Sequence, residues 1–113
     1  MSLYLLGVIE PVGPAPEPEL LEPIMVAVDA IDRELRDAGA HVFAGGLAQP
    51  AESLVVRAHD GDVVHADGPY TESTEHLGGF TIVDVPTRED AVAWAERFAR
   101  AIGLPVEVRP FRG

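Results

Sequence analysis

A chain of 113 residues with 47% hydrophobic and 24% charged side chains fits one folded domain and is too rich in core-forming residues for disorder. Its 19 acidic and 8 basic residues give a net charge of −11, which repels nucleic acid and anionic membrane surfaces and argues against both as partners. With no cysteine there is no disulfide framework or thiolate chemistry, and no apolar run approaches the roughly 20 residues of a membrane span, so the expected location is the cytoplasm.

In chain order, Leu3–Ile9 is a short apolar run that reads as a buried strand. Residues 10–19 carry Pro11, Pro14, Pro16 and Pro18 with Gly13, a proline-rich connector whose pinned φ angles suit an extended link. From Pro23 the period changes: Ile24, Val28, Ile31, Leu35 and Ala38 recur at helical spacing, with Asp29, Asp32, Arg33, Arg36 and Asp37 on the other side and Gly39 as the stop. Ala40–Ala44 reads as a second strand closed by Gly45-Gly46.

Ser53–Ala58 and Asp62–Ala66 flank His59-Asp60-Gly61, and Asp-Gly between two β-rich runs marks a tight hairpin. Gly79–Val85 is a further strand. Thr87 then caps a helix whose stripe is Ala91, Trp94, Ala95, Phe98 and Ile102, ended by Gly103, and Val106–Pro110 is the last strand. The order β-α-β-(hairpin)-α-β is the split βαβ plan of ferredoxin-like α+β domains with an inserted β-hairpin. Two helices on one face of an antiparallel sheet leave the other face bare, and a second copy of the chain is the expected cover.

The hairpin register also bears on metal binding. A two-residue turn pairs His59 with Asp62 and His65 with Val56, so the two imidazoles point to opposite faces; no other histidine has ligand spacing, and no metal is expected. His65 shares the apolar face and lies two residues before Asp67. It is either a core or interface histidine or a general base oriented by Asp67. His76 reads as an exposed loop residue beside Glu75.

Asp67-Gly68-Pro69-Tyr70 has the chemistry of a rigid turn, and it also serves to hold Asp67 at a pocket mouth with Glu72 and Glu75 following. A carboxylate cluster of this kind supplies acid–base groups where burial shifts one pKa toward neutrality. Arg109 on the last strand suits a carboxylate clamp or a neighbouring acid.

Asp67-Gly68-Pro69-Tyr70-Thr71-Glu72-Ser73-Thr74-Glu75-His76-Leu77-Gly78-Gly79-Phe80 resembles the signature of the YCII-related, or DGPF-domain, family. Ala91–Ala95 and Val106–Pro110 resemble its later helix and closing strand, so the resemblance spans roughly residues 40–111 of the chain. Tyr70 stands where the family has Phe, Thr74 where it has Lys, and His65 and His76 lie outside its pattern. The resemblance implies a dimeric α+β barrel, a bacterial homodimer whose gene neighbours include sigma factors, and no defined substrate.

The expectation is a single domain over residues 1–113 that binds a small organic molecule in a pocket rimmed by Asp67–Glu75. Catalysis without a cofactor would rest on Asp67, His65 and Glu72, with Tyr70, Glu75 and Arg109 as ligand contacts. The alternative is a non-enzymatic regulatory or interaction module associated with a sigma factor.

Overall fold

The computed structural model describes residues 1–113. Its elements are β1 (Ser2–Pro11), α1 (Pro18–Asp37), β2 (His41–Gly46), β3 (Leu54–His59), β4 (Asp62–Asp67), β5 (Glu75–Val85), α2 (Arg88–Ile102) and β6 (Val106–Pro110), with a 3₁₀ turn at Pro50–Glu52. β2, β5, β1 and β6 form an antiparallel sheet in that order, whereas β3 and β4 make a separate two-stranded sheet. This is the ferredoxin-like α+β arrangement, with the hairpin standing apart from the main sheet.

Period-2 alternation sends Tyr4 and Leu6 of β1 and Val83 and Val85 of β5 into one core. Ile31 and Leu35 of α1 and Ala91, Ala95 and Phe98 of α2 close it from the helix side. Leu3, Leu5, Phe80 and Ile82 alternate to the face that carries no helix.

The helix ends follow their local chemistry. Gly39, at φ 72°, closes α1 with paired bonds from Gly39 N–H to Arg36 C=O and from Ala40 N–H to Leu35 C=O. Thr87 caps α2: its Oγ1 accepts from the Asp90 N–H at 3.1 Å and donates to Asp90 Oδ2 at 2.9 Å. Across the two helices, Arg97 makes a bidentate ion pair with Glu34.

Four expectations shift at element ends. The connector is shorter than residues 10–19, because β1 runs on to Pro11, paired with Glu75, and α1 begins at Pro18, where a missing N–H costs nothing. Pro23 therefore lies inside α1 rather than in its first turn. Gly45 and Gly46 do not close β2 but pair within it, against Phe80 and Gly79; a side chain on Gly79 would sit 3.1 Å from the Gly45 carbonyl oxygen. β5 starts four residues early, at Glu75.

Leu35 is fully enclosed, so Leu35→Ala should cost about 2–5 kcal/mol in urea unfolding. The hydrogen bond from Arg97 holds Glu34 below its ordinary value of 4.5. A depressed folded pKa adds stability above the unfolded value, which is lost as pH falls through the folded one. Glu34→Gln should therefore flatten the decline of stability below pH 4.5, read as melting temperature against pH at low salt.

Candidate functional site

The concave site lies on the helix-free face. Leu5 and Ile9 of β1 and Leu77 of β5 floor a cleft of 450 Å³ that Glu107, Arg109, Pro110 and Phe111 bound on the β6 side. That volume is in the range of small-molecule sites, and an apolar floor with few polar groups is their usual chemistry. Arg109 Nη2 lies 2.7 Å from Glu107 Oε1, both on the open face, and the Arg109 side chain is 71% exposed; one ion pair leaves other guanidinium donors unused.

A β-bulge makes the floor. Val8 pairs with Gly79 and Ile9 with Leu77, so Gly78 is an extra residue that reverses the alternation of β5 before it. Leu77 is thereby aimed onto the open face, where it crosses Gly7; a Cβ there would meet Leu77 Cδ1 at 2.6 Å. A side chain on Gly78 would collide with the Glu10 carboxylate. Glycine at 7 and 78 is thus a packing requirement.

The same bulge places His76 opposite Glu10 on the helix side. His76 is not an exposed loop residue: it is half-buried in β5, its Nε2 is shielded without a hydrogen-bond partner, and it lines a second cavity of 380 Å³ with Gln49, Pro50 and Ser53. The alternation break at Gly78 is not visible in residue type, so sequence reasoning missed both Leu77 and His76. It also placed Asp32 on the solvent side of α1. Asp32 Oδ1 and His41 Nε2 are instead shielded and unpartnered; burial raises the Asp32 pKa, opposed by His41 and Arg36 and reinforced by Asp29.

The hairpin register is the expected one, with His59 opposite Asp62 and His65 opposite Val56. Asp60 (φ 48°) and Gly61 (φ 84°) make the tight turn, so His59 and His65 lie on opposite faces. His65 and Asp67 share a face of β4, and both are exposed. Tyr70 packs under Arg57, whose Cζ is 5.1 Å from the ring centroid; Arg57 belongs to the opposite face of the hairpin from Asp67. Glu72 is exposed in the loop and Glu75 opens β5. Asp67, His65, Glu72, Tyr70 and Glu75 line none of the three principal cavities, and Arg109 alone of the six lines the open-face cleft.

Gly68 has its own reason. Its N–H donates to Ser53 C=O at 2.8 Å, and a Cβ would meet Ser53 Cβ at 2.8 Å and Ser53 O at 3.1 Å. The pinch at Ser53 and Gly68 fixes the base of the hairpin and the start of the Asp67–Glu75 loop. That loop is tied to the first strand where Val12 N–H donates to Thr74 C=O at 2.9 Å.

A sheet of this order with two helices on one face and a cleft on the other defines a ferredoxin-like α+β protein. Residues 8–112 match the YCII-related domain, and the chain belongs to that family. The match takes in α1 as well as the segments whose motifs are legible from residue 40 onward. No curated protein matches the sequence. No helix is long and apolar enough to cross a membrane.

Gly68→Ala should destabilise by about 1–3 kcal/mol in urea unfolding, because backbone as well as side chain must yield. Gly46→Ala, with nothing within 4 Å, should be neutral or slightly stabilising.

Proposed function

We propose that this YCII-related protein is a homodimer that binds a small organic acid in the open-face cleft, with the Asp67–Glu75 loop at the rim of the assembled site. The observation that carries this reading is an apolar cleft with one guanidinium at its edge. Arg109 would exchange Glu107 for the ligand carboxylate, while Leu5, Ile9 and Leu77 take its apolar body. The loop enters β5 at Glu75, two residues before Leu77.

Asp67, His65 and Glu72 are the acid–base groups of this reading, with Tyr70 and Glu75 as further ligand contacts and no cofactor. Asp67 would orient the His65 imidazole for proton transfer once solvent is excluded. Family resemblance supplies the bacterial setting, and the lack of cysteine favours the cytoplasm. The second reading, an interaction module associated with a sigma factor, is favoured by the exposed apolar hairpin together with the net charge of −11.

Thermal shift against a panel of aromatic and 2-keto acids separates the two. A ligand at about 100 times its Kd adds roughly 2.7 kcal/mol, on the order of 10 °C for a domain of this size. Arg109→Ala should weaken that ligand at least tenfold, and Asp67→Asn should do so with near-normal melting, about 1.4 kcal/mol at the site. A flat panel with co-purification of a sigma factor would favour the interaction module. Light scattering should give twice the 12.1 kDa of one chain at micromolar concentration; the single-chain mass would overturn the dimer.

A further inference from the structure

The helix side of the sheet holds a third cavity, which shares no wall residue with the Arg109 cleft. Alternation sends Ile9 to the open face and Glu10, the next residue of β1, to the helix side. There the end of β1, the connector 12–17, the first turns of α1 and the end of α2 enclose 350 Å³, a volume suited to a small molecule. Leu21, Ile24, Ile102 and Leu104 make its apolar wall, and Pro14 and Pro16 belong to the strap across it.

The strap is anchored at its start. Val12 N–H donates to Thr74 C=O at 2.9 Å, ahead of β5, and Gly13 N–H donates to Gln49 Oε1 at 3.1 Å, in the loop after β2. Beyond these bonds Pro14 and Pro16 fix φ along the strap. A roof built this way loses little freedom when a ligand enters beneath it.

Glu10 is the one charged side chain in the wall. It is half-buried, and its carboxylate rests on Gly78, where a Cβ would collide with it. The carboxylate accepts no hydrogen bond and forms no ion pair within the chain, His76 opposite it on β5 included. Neither of its oxygens is sealed from solvent. The eight basic residues are all arginine, and none lines the cavity.

A half-buried carboxylate among apolar walls, with no cation of its own, is matched by a donor that carries positive charge. The net charge of −11 acts the same way, drawing cations to the protein and repelling anions. We propose that this cavity binds a small organic ammonium ion, with its nitrogen on the Glu10 carboxylate and its alkyl or aryl body against Leu21, Ile24, Ile102 and Leu104. Its occupancy does not depend on the Arg109 cleft, which lies on the opposite face of the sheet and carries the opposite charge at its edge.

Phenethylamine and hexylamine, both charged at neutral pH, are the probes, with phenethyl alcohol as the neutral counterpart. Titration calorimetry on the full chain should show both amines binding and the alcohol not binding at the same concentration. Glu10→Gln should weaken the amines by about tenfold or more. Glu19→Gln removes the same charge from an exposed residue outside the cavity and should leave their affinity within about twofold. Glu10→Asp keeps the charge, draws it back by one methylene, and should weaken them as well. Amide NMR shifts in the unaltered chain locate the ligand without any variant, and they should centre on Gly13, Leu21, Ile24 and Ile102. No shift with either amine at millimolar concentration, shifts centred elsewhere, equal affinity for the alcohol, or equal losses in Glu10→Gln and Glu19→Gln would each overturn the site.

Discussion

Tyr4, Leu6, Val83 and Val85 leave the sheet on the side where Ile31, Leu35 and Phe98 descend from the helices, and this one-sided burial governs the rest of the molecule. The chain has two amphipathic helices, and both are used on the same face. The other face of the four strands keeps its alternate side chains in solvent, including Leu3 and Phe43. A sheet covered once is half of a layered structure, and the apolar cleft beside Arg109 exists because no helix fills it.

The bulge at Gly78 sets what that open face presents. Without the extra residue, Leu77 would follow Thr81 and Val83 toward the helices, and His76 would lie on the open side. With it, Leu77 crosses Gly7 and floors the cleft, and the His76 ring turns inward until its Nε2 is sealed. The Gly78-Gly79-Phe80 segment thus has separate physical duties. Gly78 carries the bulge against the Glu10 carboxylate, Gly79 admits the backbone of β2, and Phe80 packs its ring 6.0 Å from that of Phe43.

Position matters as much as identity for the acid–base groups. Asp67, His65 and Glu72 are all exposed in the single chain. Catalytic use of such groups needs a surface that removes water from them.

Residue type and period alone determined the element order, the turn at Asp60-Gly61, the cap at Thr87, the stop at Gly39 and the core positions Ile31, Leu35, Ala91, Ala95 and Phe98, though not Ala38, which is exposed, because each rests on contacts within a few residues or on a repeat that survives in one dimension. The opposed faces of His59 and His65 followed from a two-residue turn for the same reason. The extent of β1 through Pro11 and of α1 back to Pro18 did not, since proline reads as a breaker until its partner strand or its place in the first turn is known. Nor could the linear pattern show that the hairpin stands apart, that Tyr70 packs under Arg57 across from Asp67, or that Leu77 and Arg109 face one cleft. Those were decided in three dimensions, where a single unpaired residue in one strand reverses which side chains share a face.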